Sequence, residues 1–444
     1  MPSGRPDHVL DITGGRPLQG RLRVGGSKNA SLPIMAAAML TREPVSLGNV
    51  AQVADAELMC EILRDLGVTV EQPGCGRVRL TATDAAGIVS DELGRRMRAS
   101  VVLLGALLGR VGTARLPKPG GDRIGARRVE MHVRGLRAMG AEVTESAYEF
   151  VARAPDGLRG ARVVLDMPTV TGTENIIMAG VLADGRTEIF NAAREPHVQD
   201  LCRCLTSMGA RIRGAGTNEI VVEGVRGLRG TEHRVIPDYL EAGTYAIAVT
   251  AAGGDVVLED GPSQDLPSVL LKLQEAGAEV ETRGDEIRVR RDPAQPLRPV
   301  DLWTWAHPGF PTDLQPQYVA LMTQAQGAAI ITEPIYDNRF RHVTELTRMG
   351  ARITVDGRDA IVRGPARLHG TDVVVPDIRS GAALVIAALC ARGTTEVTDA
   401  WHIERGYEDL PGKLRALGAD VERRGPAADA LATEELGRAA FRDP

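Results

Sequence analysis

The chain has 444 residues, of which 25% are charged and 43% hydrophobic, and its formal net charge is −5. This composition is typical of a globular protein with a large core and excludes a collagen, a coiled coil and a disordered chain. The near-neutral charge balance argues against a surface for nucleic acid or anionic membrane. We therefore expect a small-molecule substrate, with no nucleic acid, no membrane and no obligate protein partner.

The five cysteines are an odd number and include no Cys-x-x-Cys pair with metal-site spacing. The first residues, MPSGRPDHVLD, lack the apolar stretch of a secretion signal. The longest apolar runs, 99–109 and 381–391, have about half of the roughly 20 residues that a bilayer span needs. These features predict a reduced, cytoplasmic protein without a membrane segment.

One phrase, Leu-x-x-x-Gly-(Ala/Val)-x-(Val/Ile), recurs along the whole chain at a spacing of roughly 70 residues. Its copies begin at Leu63, Leu136, Leu205, Leu273, Leu346 and Leu414. Each copy predicts an amphipathic helix that ends at a glycine with positive φ and is followed by a strand. The glycines are Gly67, Gly140, Gly209, Gly277, Gly350 and Gly418. The phrase therefore predicts six structural repeats.

Each repeat also contains a segment that is apolar on all sides, which predicts a helix buried on every face. In chain order these segments are SLPIMAAAML, ASVVLLGALLG, ENIIMAGVLA, AGTYAIAVTAA, PQYVALMTQA and GAALVIAALCA. Alternating stretches such as ARVVLD and ADGRTEIF predict strands around them. The order predicts an α/β fold with three repeats in each of two lobes of about 200 residues, joined by a hinge near 234–237.

Charged or hydroxyl side chains open these six segments: Lys28 and Asn29, Arg98, Thr171 and Thr173, Asp238 and Glu241, Asp313, and Asp377 with Arg379. N-capping alone would explain the Asp and Thr residues. A cation at a helix N-terminus opposes the helix dipole, so Lys28, Arg98 and Arg379 indicate an anionic ligand. If the repeats surround pseudo-threefold axes, these ends converge on a cleft between the lobes.

Two further segments concentrate charge. PGGDRIGARRVEMH is a glycine-rich stretch that holds Asp122 and Arg127, and it is either a loop that closes over a substrate or a solvated surface loop. WHIERGYEDL places His402 and Arg405 on one face if it is helical. The eight histidines show no metal-ligand spacing, and Walker, dinucleotide and GxSxG motifs are missing. We expect no metal and no cofactor.

With these motifs the chain resembles the enolpyruvyl transferases over about residues 9–422, and most closely the branch that acts on UDP-sugars. The supporting stretches are GGSKNASLPIMAAAML, RRMRASVVLLGALL, GGDRIGARRVEMH, VTGTENIIMAG, NAAREP, HPGFPTDLQPQ, YDNRFRHVTELTRMGA and HIERGYEDLPGKLRALGA. The resemblance implies a two-lobed, inside-out α/β prism of six βαβαββ repeats. Lobe one would span 28–236, lobe two 1–27 and 237–424, and residues 425–444 would form a polar tail.

The reaction that the resemblance implies is an addition–elimination without metal or cofactor. The 3′-hydroxyl of UDP-N-acetylglucosamine adds to C2 of phosphoenolpyruvate while C3 is protonated, and the adduct then loses C3–H and phosphate. This is the first committed step of peptidoglycan synthesis, and so serves cell-wall biogenesis, cell shape, the cell cycle and cell division. The chemistry requires cations for phosphate and carboxylate, one acid and one base.

Matching motif positions assigns the site residues that the resemblance implies. Phosphoenolpyruvate would be bound by Lys28, Asn29, Arg98, Arg127, His402 and Arg405, with Arg379 on its carboxylate. The UDP-sugar would contact Asn29, Arg98, Arg127, Arg128, Val129, Glu130, Met131, His132, Thr169, Val170, Thr171, Thr312, Asp313, Ile335 and Arg339. Lys28, Asp122 and Asp313 would be catalytic, with Asp313 the base for the hydroxyl and Asp122 the acid at C3, unless Asp122 only caps a turn.

Four positions depart from the family pattern. Asp122 stands where cysteine is usual, a change also met in some members, and Arg128 stands where proline is usual. His197 replaces a second acid and Tyr239 replaces an arginine. The last three of these changes leave the reaction residues intact but bear on the identity of the nucleotide sugar. Since epoxide inhibitors such as fosfomycin alkylate a thiolate, we expect a fosfomycin-insensitive enzyme.

Three alternatives stay open. The first is a paralogue of specialised metabolism that transfers enolpyruvate to another uridine nucleotide. The second is an inactive, nucleotide-sensing paralogue, against which the intact set of Lys28, Asp313, Arg379 and Arg405 speaks. The third is a 5-enolpyruvylshikimate-3-phosphate synthase, which the stretches GFPTDLQ and NAAREP disfavour.

Overall fold

The computed structural model describes residues 8–122, 124–127 and 129–425, so Arg128 and most of the expected tail lie outside the described residues. Fourteen α-helices occur in the described part: α1 (Lys28–Ala37), α2 (Ala54–Asp65), α3 (Asp91–Gly94), α4 (Leu103–Val111), α5 (Glu130–Ala138), α6 (Val170–Gly180), α7 (Pro196–Ser207), α8 (Tyr239–Ala252), α9 (Pro267–Ala276), α10 (Gln315–Met322), α11 (His342–Arg348), α12 (Ile378–Cys390), α13 (Trp401–Glu404) and α14 (Leu410–Ala416).

The same residues form 23 strands: β1 (Val9–Thr13), β2 (Leu18–Arg23), β3 (Val45–Gly48), β4 (Thr69–Gly74), β5 (Arg77–Thr81), β6 (Thr113–Pro117), β7 (Glu142–Glu145), β8 (Glu149–Arg153), β9 (Arg162–Val164), β10 (Arg186–Phe190), β11 (Arg211–Arg213), β12 (Glu219–Glu223), β13 (Thr231–Arg234), β14 (Gly254–Glu259), β15 (Glu279–Arg283), β16 (Glu286–Arg291), β17 (Leu302–Trp303), β18 (Gly327–Thr332), β19 (Arg352–Asp356), β20 (Asp359–Gly364), β21 (Asp372–Val374), β22 (Thr394–Thr398) and β23 (Asp420–Arg424).

These strands build six small sheets, ordered β13-β3-β5-β4, β6-β8-β7, β11-β12-β10-β9, β15-β16-β14-β2, β17-β18-β20-β19 and β21-β22-β1-β23. In a typical repeat the strand before the buried helix pairs in parallel with the strand after it, as β9 does with β10. An antiparallel hairpin then completes the sheet, as β11 and β12 do. In the second repeat the leading strand is reduced to one bridge, between Ile88 and Arg115.

Six helices are buried along almost their whole length, as their sequences predict. In α8, for example, every residue from Tyr239 to Ala251 is buried. These helices pack in two sets of three: α4 contacts α1 and α6, whereas α8, α10 and α12 contact one another. Each set lies inside its own hydrophobic core. A helix without a polar face is stable in water only when other elements cover every side, and the sheets supply that cover.

The repeated glycines end their helices in the left-handed conformation. Gly67, Gly140, Gly209, Gly277, Gly350 and Gly418 have φ values from +86° to +115°. The positive φ that the repeated phrase predicts is thereby confirmed in all six repeats.

The described chain divides into two compact units, each with three sheets. The inserted unit comprises Gly26–Gly121 and Arg127–Ile236, and the split unit comprises the chain up to Gly25, the segment Asp122–Ala126 and the chain from Pro237 onward. The first boundary thus falls two residues before the expected one. The Asp122–Ala126 segment groups with the split unit because it contacts residues such as Asp337 there.

Two strands are exchanged between the repeats. β2 leads into α1 but pairs with β14, and β13 leads into α8 but pairs with β3. The split unit is therefore completed by both N-terminal strands, since β1 pairs with β22 and β23. In the part of the chain that the structure covers, no helix is both long and apolar enough to cross a membrane.

The helix stop at Gly140 gives a prediction about stability. Its φ is +92° and a Cβ added there would meet no atom within 4 Å, so a Gly140→Ala variant would suffer only from backbone strain. We expect its free energy of unfolding to fall by about 1–2 kcal/mol in urea titrations. Gly140→Asn should lose less, because asparagine tolerates this conformation. Gly227→Ala is the matched control, with open space and no positive φ; an equal loss there would contradict the argument.

Candidate active site

Asp313 lies in a short 3₁₀ helix, Thr312–Leu314, directly before α10. Its Oδ1 is 2.7 Å from Nη2 of Arg339, and its Oδ2 is 3.3 Å from Nη2 of Arg379. Two guanidinium groups favour the ionised carboxylate. The Asp313 side chain is nevertheless 28% exposed. The arrangement holds an unprotonated carboxylate where a ligand can reach it, as a base for a hydroxyl requires.

Arg379 is the second residue of α12, and its side chain is only 5% exposed. Its guanidinium lies over the ring of Tyr407, 5.2 Å from the centroid. Its Nη1 has no hydrogen-bond partner among the described residues. Asp377 caps α12 by accepting the backbone N–H groups of Arg379 and Ser380, so capping explains Asp377 but not the cation beside it. A buried guanidinium with an unused donor indicates an anionic ligand.

Arg339 and the residues beside Asp313 have supporting roles. Arg339, predicted to contact the UDP-sugar, has a side chain that is 2% exposed and donates to Asp313 and to the Thr312 carbonyl, so in this structure it positions Asp313. Thr312 Oγ1 donates to Glu333 Oε2 at 2.8 Å, and the Ile335 backbone N–H donates to Glu333 Oε1 at 3.0 Å. The sequence analysis missed Glu333, which no motif marks.

Asp122 pairs with Arg405. The Asp122 Oδ1 to Arg405 Nη1 distance is 2.6 Å, and both side chains are largely buried. Arg405 follows α13, so it extends from the short helix that also holds His402, as expected. The ion pair favours the ionised form of Asp122. To act as an acid, Asp122 would therefore have to leave Arg405 and gain a proton, which the sequence did not predict.

His402 is a neutral ring rather than a cation. It stacks on Trp401 with ring centroids 3.7 Å apart. Burial, and secondarily the charge of Arg405, lowers the pKa of His402 to about 4. At neutral pH it can offer a phosphate a single N–H donor but no positive charge.

In the inserted unit, Lys28 is the first residue of α1, whose N-cap is Ser27. The Lys28 Nζ is 2.6 Å from Oδ2 of Asp55, and both side chains are buried. A buried pair of this kind fixes the cation in one position. Asn29 follows on α1 and is half-buried. Asp55, on α2, is a second residue that the sequence analysis missed.

Arg98 opens a 3₁₀ helix before α4 rather than an α-helix, which corrects our expectation for this position. Its Nη2 donates to the carbonyl of Arg127, so it holds the backbone that leads into α5. Both arginines are half-buried. Of the residues that follow, Val129 is buried, Glu130 is exposed and Met131 is half-buried.

His132, predicted to contact the UDP-sugar, is 1% exposed. Burial, and secondarily the charge of Arg98, lowers its pKa to about 3. Its Nε2 is 3.3 Å from Oγ1 of Thr171, and its Nδ1 is 2.9 Å from Nδ2 of Asn175. Thr171, like Thr169 and Val170, is half-buried at the start of α6, within reach of a ligand.

Glu174, also on α6, is fully buried, and its Oε1 has no hydrogen-bond partner in the described part of the chain. Burial, and secondarily the charge of Glu195, raises the pKa of the Glu174 carboxyl to about 8. The carboxyl is therefore neutral at pH 7. The stretch VTGTEN contains this residue, but nothing in the sequence indicates its burial.

Each unit thus holds buried or half-buried cations next to carboxylates. Among the residues that the structure describes, no group of three or more His, Cys, Asp or Glu side chains could hold a metal ion. The cations of the inserted unit are Lys28, Arg98 and Arg127, and those of the split unit are Arg379 and Arg405. Cations of this number bind small polyanions, and an ionised Asp313 can accept a hydroxyl proton. These groups are suited to binding anionic substrates and to accepting a proton from one of them.

A sequence model of the EPSP synthase (3-phosphoshikimate 1-carboxyvinyltransferase) family matches residues 12–414, and the chain belongs to this family. The UDP-N-acetylglucosamine 1-carboxyvinyltransferase of Sorangium cellulosum is 50% identical over 416 residues, covering 93% of this chain and 98% of the relative. The protein of the same name from Granulibacter bethesdensis is 46% identical over 420 residues, covering 93% and 99%. The resemblance to enolpyruvyl transferases is confirmed.

Solved structures agree with this assignment. The enolpyruvyl transferase NikO from Streptomyces tendae has a TM-score of 0.85 and 26% identity, covering 95% of this chain and 100% of that one. EPSP synthase from Acinetobacter baumannii has a TM-score of 0.71 and 19% identity, covering 94% and 99%, and shows the shared fold alone. The predicted α/β fold class is confirmed.

Glu174 gives a prediction for the pH dependence of stability. The pKa of the Glu174 carboxyl is about 8 in the folded chain and 4.5 in the reference state. The contribution of this carboxyl to the free energy of unfolding is therefore fully present below pH 4.5 and is lost as the pH rises through 8. Glu174→Gln should therefore gain stability relative to wild type between pH 5 and 9, by a few kcal/mol, in urea titrations at each pH. Glu142→Gln, at an exposed position, is the control. If the difference in free energy of unfolding between Glu174→Gln and wild type did not change with pH, this would contradict the argument from the burial of Glu174.

Proposed function

We propose that the protein transfers the enolpyruvyl group of phosphoenolpyruvate to the 3′-hydroxyl of UDP-N-acetylglucosamine with release of phosphate, the first committed step of peptidoglycan synthesis. The observation that carries the proposal is the pairing of Arg379 with Asp313 at 3.3 Å. It puts a buried guanidinium with a free donor, suited to a carboxylate, next to an accessible base. The names of relatives 46–50% identical along the chain support the same acceptor.

In the addition step, Asp313 takes the proton of the sugar 3′-hydroxyl, whose oxygen bonds to C2 of phosphoenolpyruvate while C3 gains a proton. Arg379 binds the carboxylate of phosphoenolpyruvate through its unused Nη1. Arg339 keeps Asp313 in place and ionised at 2.7 Å. In the elimination step, C3 loses a proton and the C2–O bond to phosphate breaks.

The phosphate of phosphoenolpyruvate is neutralised in this proposal by Arg405 of the split unit, and charge-assisted hydrogen bonds of this kind strengthen as negative charge develops on the leaving group. Lys28, Arg98 and Arg127 of the inserted unit supply further cations for the anionic substrates. Arg405 is paired with Asp122 in this structure, so the phosphate competes with Asp122 for the guanidinium. Displaced from Arg405, Asp122 can take a proton and serve as the acid at C3.

The diphosphate and uridine are assigned to residues on α5 and α6. We assign them to the backbone around Arg127, to the first turn of α5, and to Thr169–Thr171, with Asn29 and Thr312 near the amino sugar. All five cysteines are unpaired thiols, which is typical of a reducing compartment. We therefore propose a cytoplasmic enzyme that supplies cell-wall synthesis during growth and division.

Phosphate release on mixing the protein with phosphoenolpyruvate and a panel of uridine nucleotides tests the function directly. We expect release with UDP-N-acetylglucosamine, and much less with UDP-glucose, UDP or UMP, because the acceptor is the 3′-hydroxyl of an amino sugar. Release with another uridine nucleotide alone would replace the proposed acceptor. No release with any of them would refute the proposed activity.

Asp313→Asn tests the base. The amide keeps the size of the side chain but cannot take a proton, so kcat should fall by at least about 100-fold. The Kd for UDP-N-acetylglucosamine should stay within about tenfold, since the loss is chiefly in the transition state. Asp156→Asn, at an exposed position in the inserted unit, is the control for an Asp-to-Asn change. More than a tenth of wild-type kcat in Asp313→Asn would show that Asp313 is not the base.

Fosfomycin tests Asp122. Burial raises the pKa of Cys60 to about 11 and the pKa values of Cys202, Cys204 and Cys390 to about 12, so these thiols stay protonated. A carboxylate replaces the usual loop thiolate, so we expect no time-dependent inactivation of the wild type. Asp122→Cys should become sensitive, with one adduct by mass spectrometry. A fosfomycin adduct on Asp122 of the wild type would contradict the prediction. A fosfomycin adduct on exposed Cys75 without loss of activity serves as the control for alkylation elsewhere on the chain.

A further inference from the structure

The amide of Asn175 has one possible orientation. Its Oδ1 accepts the backbone N–H of Gly105 at 2.6 Å, and its Nδ2 donates to the carbonyl of Val101 at 2.9 Å. A backbone N–H can only donate and a carbonyl can only accept, so these two partners fix which end of the amide is oxygen and which is nitrogen. Asn175 is also completely buried.

The fixed amide determines the tautomer of His132. Asn175 Nδ2 lies 2.9 Å from His132 Nδ1. Since the amide nitrogen is the donor, Nδ1 must be the acceptor, and the neutral ring therefore carries its hydrogen on Nε2. Burial keeps the ring neutral across the physiological range, because the pKa of His132 is lowered to about 3.

The tautomer of His132 in turn determines the direction of the Thr171 hydroxyl. Nε2–H of His132 points at Oγ1 of Thr171, 3.3 Å away. An oxygen that accepts this hydrogen must direct its own hydrogen elsewhere. Thr171 makes no other side-chain hydrogen bond within the described residues, and it is half-buried, whereas His132 and Asn175 are buried. Its O–H is thus left for a partner outside the protein.

The local packing keeps this arrangement in place. A Cβ at Gly172 would lie 2.5 Å from Thr169 Cγ2 and 3.4 Å from His132 Cδ2. The distance to Thr169 is a clash, whereas the distance to His132 is an ordinary contact, so glycine at this position leaves room for the Thr169 side chain in the first turn of α6. The motif VTGTEN therefore supplies the hydroxyl, a glycine that lets this turn form beside the ring and the amide that orients the ring.

We propose that Asn175 and His132 form a hydrogen-bond relay that makes the Thr171 hydroxyl an obligatory donor to an acceptor oxygen of the bound UDP-sugar. The inference rests on the proposed function for the identity of the substrate. His132 and Asn175 are positioning residues in this relay, and Thr171 is the residue that contacts the ligand. The relay selects for a carbonyl or phosphoryl oxygen at this position and against an N–H or O–H donor, since two donors would face each other.

Calorimetry with UDP-N-acetylglucosamine tests the contact. Thr171→Val removes the hydroxyl at constant size, and its Kd should rise about tenfold, the usual loss for one hydrogen bond to a charged or strongly polar acceptor. Thr171→Ser keeps the hydroxyl and should stay within about threefold of wild type. The KM for phosphoenolpyruvate should not change in either variant. A Thr171→Val protein that binds the nucleotide sugar as tightly as wild type would overturn the proposal.

Asn175→Asp tests the relay itself. A carboxylate can still accept from Gly105 but can only accept from His132, so the imidazole hydrogen moves to Nδ1, Nε2 becomes an acceptor and the Thr171 hydrogen turns inward. We expect a Kd near that of Thr171→Val. In the Asn175→Asp/Thr171→Val double variant the two losses of affinity for UDP-N-acetylglucosamine should not add. If Asn175→Asp caused only a structural defect, its loss of affinity would add in full to that of Thr171→Val.

Nitrogen NMR of the ligand-free, ¹⁵N-histidine-labelled chain reads the tautomer without relying on function or on the Asn175 variant. Nδ1 of His132 should resonate as an unprotonated nitrogen and Nε2 as a protonated one, with the signals assigned by their loss in His132→Gln. The reverse pattern in wild type would refute the relay even if the enzyme is active. Wild type that shows the expected tautomer but does not bind UDP-N-acetylglucosamine would instead refute the proposed function and the substrate named here.

Discussion

The structure depends on six helices that have no polar face. Such a helix cannot lie on a surface, because at least one apolar side would remain in water. The repeat solves this problem by adding to each central helix a small sheet and an outer amphipathic helix. Three central helices then cover one another, as α8, α10 and α12 do, and the sheets cover the rest. Charged side chains therefore lie mainly at the ends of the central helices, on the outer helices and on the exposed faces of the sheets.

This confinement explains where the chemistry lies. The first turn is the part of a buried helix that can offer side chains and free N–H groups to a ligand. Lys28 opens α1, and Thr171 and Arg379 lie in the first turns of α6 and α12. The fold therefore sets the position of the reacting groups through the same helices that form its core, so a packing defect in a central helix would also displace its terminal side chains.

Local features were predictable from the sequence, and distant partners were not. The glycine stops and the buried helices follow from short-range rules, and all six repeats obey them. Several partners come from other segments of the chain than the residues they hold: Asp55 holds Lys28, Glu333 holds Thr312 and Asn175 holds His132. No periodic pattern in the sequence links such pairs.

Motif matching likewise locates a residue without showing which way its side chain faces. Arg339 and His132, for example, are both buried, and each orients a more exposed neighbour, which the motifs alone do not indicate. The repeat pattern predicts the architecture because the rules for helix stops and buried helices act within one repeat. The orientation of these side chains depends instead on contacts between repeats.

The pairing of the N-terminal strand β1 with strands near the other end of the described chain imposes an order on biosynthesis. Residues 26–236 hold nearly all of the inserted unit in one continuous stretch, so it can fold while the ribosome is still making the rest. β1 cannot pair so early. The side chain of Thr13 hydrogen-bonds to that of Thr394, 381 residues later in the chain. Translation of that length takes about 20–80 s at the usual rate. During that time the apolar strand VLDIT has no partner. The nascent chain must therefore carry an unpaired, aggregation-prone edge through most of its synthesis, which makes its N-terminus a natural point of chaperone contact.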